Sequence, residues 1–132
     1  MPAKTKLKVK SEAAICPGGT TLDAKGLREM KEKVQANGDV DALADFFAVA
    51  GNSQRLRMLL YLTEVDELCV CDLAELLDMG MTAVSAHLNK MKLQGVLKTR
   101  RDAQMIYYSI ADKERMKVLA QAFTDLRAAM KL

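Results

Sequence analysis

The chain has 132 residues, half of them hydrophobic and 28% charged, with 20 basic against 17 acidic side chains. This length and composition fit one globular domain with a real core rather than a disordered chain. No run of about 18 apolar residues occurs, so we expect no transmembrane helix and no membrane partner. The lysine-rich start lacks the apolar segment of a secretory signal, which predicts a cytoplasmic protein.

Three cysteines stand at Cys16, Cys69 and Cys71. An odd number, in a chain without an export signal, disfavours a disulfide scaffold and predicts reduced thiols. Residues 1–21 are predicted to form a flexible arm, because scattered lysines are followed by a proline and two glycines. A free cysteine is usually buried, so Cys16 has no packing reason to lie in such an arm.

The predicted folded domain, residues 22–132, begins with three helices, of which the first is amphipathic and the second is apolar enough to belong to the core. They span residues 23–36, 41–50 and 53–65, and Ser53 is the predicted N-cap of the third. The apolar face of the first helix is made by Leu27, Met30 and Val34.

A short helix, a turn and a longer helix follow. The short helix spans residues 72–78, and Gly80 supplies a turn residue that tolerates a positive φ. Thr82 is the expected N-cap of the longer helix, residues 82–94, and Gly95 ends it. The inward face of the short helix is expected to carry Leu73, Leu76 and Leu77.

One flank of the longer helix carries small and polar side chains, as a helix that reads bases in the DNA major groove requires. The alternative is a two-helix corner packed inside a core, and this pattern alone leaves both open. The candidate DNA contacts on this helix are Thr82, Ser85, His87, Asn89 and Lys90.

Residues 96–101 and 105–110 are β-prone and are joined by three residues that suit a hairpin. The segment from Lys90 to Arg101, both included, has five Lys or Arg residues and no acid, so the positive charge is local. A basic hairpin directly after a candidate recognition helix indicates a winged helix-turn-helix, in which the wing touches phosphate while the helix reads bases. The phosphate candidates are Lys90, Lys98, Arg100 and Arg101.

The last predicted helix, residues 112–131, carries apolar residues at alternating steps of three and four, a heptad-like seam. A seam of this length predicts pairing with the first helix and its symmetry mate in a homodimer. The alternative is a helix folded onto its own domain. The seam consists of Met116, Leu119, Phe123, Leu126 and Met130.

The run ELCVCDL (residues 67–73), the following AELLDMGMTAVSAHLNKMKLQGVLKTRR and then MIYYSI resemble the ArsR/SmtB family of bacterial metal- and metalloid-responsive repressors. The similarity covers about residues 41–126. It implies a mainly α-helical winged helix-turn-helix, with five helices, a small β-hairpin wing and a final helix, in a homodimer. It also implies a repressor, not an enzyme, that binds double-stranded operator DNA and is released when a thiophilic inducer ion binds.

In the cadmium- and lead-responsive branch of this family, arm cysteines of one subunit reach the two cysteines beside the helix-turn-helix of the other. Cys16, Cys69 and Cys71 resemble that set, with one arm thiol instead of two. Three thiolates suit As(III) or Pb(II), whereas Cd(II) generally takes a fourth ligand. The resemblance implies As(III), Cd(II) or Pb(II) as inducer and no organic cofactor.

The two neighbouring thiols must straddle a helix start to share an ion, because residues i and i+2 of a helix do not face each other. Cys69 is therefore expected to be extended, and the amide groups at the helix start are expected to favour the thiolate. Ala74 stands where arsenic-responsive members often carry a further cysteine.

Other family members bind zinc through four residues on the last helix. At the matching positions of this chain, two carboxylates stand in place of histidines and an alanine stands in place of the last acid. A zinc site of that type is therefore not expected. These positions are Asp112, Glu114, Asp125 and Ala128. The rival functions are a thiol redox regulator with the same fold, and a metal-buffering or interaction protein that does not bind DNA.

Overall fold

The computed structural model describes residues 19–132, so Cys16 and most of the predicted arm lie outside the described residues. The helices are α1 (Ala24–Gln35), α2 (Val40–Ala50), α3 (Ser53–Glu64), α4 (Val70–Leu77), α5 (Met81–Leu93) and α6 (Lys113–Met130). The strands are β1 (Leu68–Cys69), β2 (Leu97–Asp102) and β3 (Met105–Ile110). This order confirms the predicted winged helix-turn-helix. Within residues 19–132, no helix is long and apolar enough to cross a membrane.

The chain divides into two compact units, with the boundary between Leu43 and Ala44. In the described part of the first unit, α1 is capped by Asp23, whose carboxylate accepts a hydrogen bond from the Gly26 N–H at 2.7 Å. The predicted apolar face of α1 is largely exposed to solvent. Its members Leu27, Met30 and Val34 are 43%, 43% and 51% exposed.

The core of the second unit is built from the end of α2, from α3, α4 and α5, from the start of α6 and from the sheet. On α4, Leu73 is fully buried whereas Leu76 is 45% exposed, so the prediction that Leu76 faces inward is wrong. The helix begins at Val70, and its buried face follows the i, i+3, i+4, i+7 spacing that starts there. Leu76 falls beside that face. On α5, the predicted inward residues are fully buried: Val84, Leu88 and Met91.

Three predicted caps and turns were wrong by one or two residues. Asn52, not Ser53, caps α3, because its side-chain oxygen accepts the N–H groups of the second and third residues after it, at 2.9 and 3.1 Å. The N-cap of α5 is Gly80, not Thr82. Gly80 has a φ of −65°, and Asp78 takes the left-handed conformation at the end of α4 instead, with a φ of 51°. Gly95, with a φ of 75°, ends α5 as predicted.

The sheet has three antiparallel strands in the order β1-β3-β2. The predicted hairpin is confirmed as β2 and β3, joined by a two-residue turn in which Ala103 has a φ of 54°. β1 was not predicted, because two residues are too few to show an alternating pattern. It pairs Leu68 with Tyr108 and Cys69 with Tyr107, which attaches the cysteine segment to the wing.

Candidate functional site

The two neighbouring cysteines stand on either side of the start of α4. Cys69 is the last residue of β1 and the N-cap of α4, with an extended backbone (φ −86°, ψ 170°), while Cys71 lies in the first helical turn. This confirms the expectation that the pair straddles the helix start. The Cys69 side chain is buried at 6% exposure and Cys71 is exposed, so the pair combines one protected and one accessible sulfur.

A capping box holds the Cys69 backbone in place. The Cys69 N–H donates to Asp72 Oδ2 at 3.1 Å, and the Cys69 side chain accepts from the backbone of Asp72. Burial raises the pKa of the Cys69 thiol, and the Asp72 carboxylate raises it further, against the smaller effect of the Asp72 and Cys71 amides. The amide groups at the helix start favour the Cys69 thiolate as expected, but desolvation exceeds their contribution, so the pKa is raised overall. An ion that binds this sulfur must displace a proton.

The two thiols alone do not complete a metal site. Within residues 19–132, no group of three or more His, Cys, Asp or Glu side chains is arranged to hold a metal ion. Two sulfur donors at one helix start suit a soft ion. Cys16, the predicted third ligand, lies outside the described residues.

The carboxylates at the family's zinc positions on α6 have other partners. Asp112 caps the helix by accepting from the Arg115 N–H at 3.1 Å, and Glu114 pairs with Lys117 at 3.3 Å. Asp125 accepts from Gln121 at 2.9 Å.

The predicted seam of α6 divides into two halves. Met116 is 2% exposed and belongs to the core of its own unit, with Leu119 packed against that core. Phe123 is half-buried, whereas Leu126 and Met130 are 61% and 63% exposed. The first half of the helix therefore folds onto its own unit, and the second half leaves an apolar face free.

The candidate base-reading side chains of α5 form an accessible surface. Thr82, Ser85, Asn89 and Lys90 are exposed, opposite the buried face of the same helix. His87 is half-buried at the border between the two faces. This arrangement leaves small polar groups available to a ligand outside the unit.

Desolvation lowers the pKa of His87 below its ordinary value of 6.5, and the positive charges of Arg55 and Lys90 lower it further. The histidine is therefore neutral at physiological pH and offers hydrogen bonds rather than charge.

We expect stability to fall as the pH drops through 6.5, because the unfolded chain then takes up the His87 proton more readily than the folded protein. Well above this pH both states are neutral and His87 contributes no pH dependence. Thermal unfolding between about pH 7.5 and 5.5 measures the effect. In His87→Gln the decrease should be smaller, and an identical decrease in both proteins would contradict the assignment.

The three wing cations differ in their surroundings. Lys98 and Arg101 are exposed and have no carboxylate within 4.0 Å among the described residues. Arg100 instead donates from Nε and Nη2 to the two carboxylate oxygens of Glu67, at 3.1 and 2.5 Å. The pair raises the pKa of Arg100 and lowers that of Glu67. Glu67 was not predicted to have a role, because its partner is 33 residues away and the contact depends on β1.

A family model described as "Bacterial regulatory protein, arsR family" matches residues 52–99. The chain is 37% identical over 75 residues to the cadmium resistance transcriptional regulatory protein CadC of Listeria innocua, covering 57% of this chain. It spans 63% of the length of that relative. A transcriptional repressor SmtB homolog from Synechocystis is 32% identical over 101 residues, covering 76% of each chain.

Among solved structures, the chain resembles the homodimeric winged helix-turn-helix DNA-binding domain of a possible ArsR-family transcriptional regulator from Mycobacterium bovis. The TM-score is 0.64 at 26% identity, and the match covers 70% of this chain and 84% of that chain.

Proposed function

Because this chain belongs to the ArsR/SmtB family of bacterial regulatory proteins, we propose that it is a transcriptional repressor released from operator DNA by a thiophilic ion. The family consists of transcription regulators and not of enzymes, in agreement with the sequence-based expectation. A cytoplasmic location is part of the same proposal.

The observation that carries the proposal is the position of Cys69. It ends a strand that is hydrogen-bonded to the wing and caps the first helix of the helix-turn-helix. An ion that draws Cys69 and Cys71 together would act on both DNA-binding elements at once. If the ion-bound and ion-free proteins differ in the positions of these elements, they bind DNA with different affinities, and this difference couples the ion to the DNA.

The proposed inducer is As(III), Cd(II) or Pb(II), bound by Cys69, Cys71 and Cys16. The cadmium resistance regulator among the relatives supports a soft ion, and sulfur ligands prefer such ions over Mg²⁺ or Ca²⁺. No organic cofactor is required. Since the Cys69 thiol is protonated before binding, apparent ion affinity should rise with pH.

We propose a homodimer that presents two copies of α5 to successive major grooves of the operator. The homodimeric relative of known structure supports this assembly, and so do the exposed apolar faces of α1 and of the end of α6. The proposed base contacts are Thr82, Ser85, His87 and Asn89, and the proposed phosphate contacts are Lys90, Lys98 and Arg101.

Direct titration tests the proposal. A duplex selected by the metal-free protein from a random pool, under chelator and reductant, should bind the protein, and adding Cd(II), Pb(II) or As(III) should weaken binding roughly 5- to 150-fold. Ultraviolet thiolate-to-metal absorption should report the same ion, with fewer sulfur ligands in Cys16→Ser. Unchanged DNA affinity at ion saturation would reject the function.

Replacing Arg101 by glutamine should weaken DNA binding several-fold for every sequence, because its charge faces phosphate rather than bases. The slope of log affinity against log salt should fall by about 0.9 for each phosphate that the protein no longer neutralises, and by about twice that in a dimer. Arg28→Gln removes an equal charge from α1 and should leave the slope unchanged. An unchanged slope in Arg101→Gln would show that Arg101 does not bind phosphate.

A further inference from the structure

The guanidinium of Arg100 contacts acidic and aromatic groups of its own unit, although it stands in a basic run and its side chain is 53% exposed. Two of its nitrogens bind both oxygens of Glu67, and Nη1 lies 3.9 Å from Asp102 Oδ2. The Tyr107 ring centre is 4.7 Å from the guanidinium carbon. An exposed ion pair usually contributes little to stability. A bidentate pair whose guanidinium also stacks on an aromatic ring is, however, a favourable geometry for arginine.

The sheet register links this ion pair to the candidate ion site. Cys69 stands opposite Tyr107 on β3, and Tyr107 stands opposite Arg100 on β2. Opposite residues of antiparallel strands share a face, so these three residues form one row across the sheet. Glu67 directly precedes β1 and binds the far end of this row. The thiol segment and the wing are thus joined both through the backbone and by a side-chain bridge.

The backbone connection by itself is short. β1 has two residues and pairs with β3 at two positions only. Two pairs of residues can adjust locally when Cys69 moves slightly, so the movement need not extend to β2. The Glu67–Arg100 contact spans β3 and joins the segment before β1 directly to β2, so the same displacement would reach the wing.

Arg101 offers a direct contrast. It is the next residue on the same strand, so its side chain points to the opposite face. It is exposed and has no carboxylate within 4.0 Å among the described residues. The two adjacent arginines therefore have the same charge and different surroundings, which makes each the natural control for the other.

We propose that the Glu67–Arg100 pair is a latch that transmits ion binding from Cys69 to the wing, and that Arg100 is not a phosphate contact. This inference rests on the proposed function, since it assigns a positioning role within the ion response. It departs from the sequence-based expectation that Arg100, like its basic neighbours, contacts DNA.

The test compares Arg100→Gln with Arg101→Gln on the selected duplex, with Cd(II) as the probe and fluorescence anisotropy as the measurement. Arg100→Gln should keep metal-free affinity within about threefold and keep the wild-type salt slope. Its Cd(II)-induced loss of affinity should fall from roughly 5- to 150-fold to below about threefold. Arg101→Gln should behave in the opposite way, with a weaker metal-free complex and an intact response.

Glu67→Gln should also reduce the Cd(II) response, because it removes the same contact from the other side. The double exchange Glu67→Arg with Arg100→Glu should restore the response ratio, which general damage to the fold would not do. If Arg100→Gln lowers metal-free affinity and salt slope as much as Arg101→Gln does, or keeps the full Cd(II) response, the latch is wrong.

Failure of the proposed function gives a different result. In that case the wild type itself does not bind the duplex, or is not released by Cd(II). The latch is then measured without DNA, by amide hydrogen exchange in β2 with and without Cd(II). Cd(II) should change β2 exchange in the wild type and not in Arg100→Gln. If Cd(II) changes β2 exchange equally in the wild type and in Arg100→Gln, the proposed role of the Glu67–Arg100 pair is wrong.

Discussion

Replacing Cys69 or Cys71 by serine is expected to abolish the response to the inducer ion while metal-free DNA binding stays within a few fold. A serine hydroxyl stays protonated at neutral pH and is a hard oxygen donor, so it does not replace a thiolate toward a soft ion. With coupling of about 1–3 kcal/mol, the wild type loses roughly 5- to 150-fold in DNA affinity on ion binding, and each variant should lose less than about twofold.

The Cys69→Ser variant should keep its fold, since Cys69 is the N-cap of α4 and serine is among the preferred N-cap residues. An absent response would then report missing ligation and not an unfolded helix. DNA anisotropy under reductant, with matched ultraviolet titrations, measures both properties. A double variant that still leaves DNA at the wild-type ion concentration would place the sensing site elsewhere.

Replacing Leu73 by alanine should cost about 2–5 kcal/mol of unfolding free energy. Leu73 is completely buried in the core that joins α4 to the rest of the second unit, so truncation leaves a cavity there. A decrease of this size is a large part of the ~5–15 kcal/mol that stabilises an ordinary domain. DNA binding should weaken with it, because the helix-turn-helix loses its support.

Leu76→Ala is the matched control, with the same change three residues further along α4. Leu76 is 45% exposed, so we expect a cost below about 1 kcal/mol. Urea unfolding at one fixed protein concentration compares the two variants without a contribution from assembly. Equal costs for both substitutions would contradict the buried face assigned to α4.

Most element positions follow from local pattern. The i, i+4, i+7 spacing of Val84, Leu88 and Met91 predicted the buried face of α5, and the β-prone runs around Asp102 predicted the hairpin. Both patterns depend on neighbours within a few residues, which is why they can be recognised in one sequence. The N-cap residues were harder to predict. Asn52 and Ser53 are both suitable N-caps for α3, and only the backbone angles select one of them.

The extended conformation of Cys69 also followed from sequence, since two thiols at i and i+2 cannot share an ion inside one helix. The protonation state of Cys69 did not. The helix start favours the thiolate, but the side chain is buried by segments far away in the chain, and this burial raises its pKa. Whether a group is desolvated is a property of the packed fold.

Sequence alone determined which chemistry this chain carries: soft sulfur donors beside a helix-turn-helix and a basic wing, at spacings set by helix and strand geometry. Tertiary structure decided which of those groups are free to act. Arg100 and Arg101 are equivalent in the sequence, yet pairing of the two-residue strand β1 with β3 brings Glu67 to one arginine and leaves the other without a carboxylate partner among the described residues. Such a contact depends on long-range strand pairing, for which so short a segment carries no local signal.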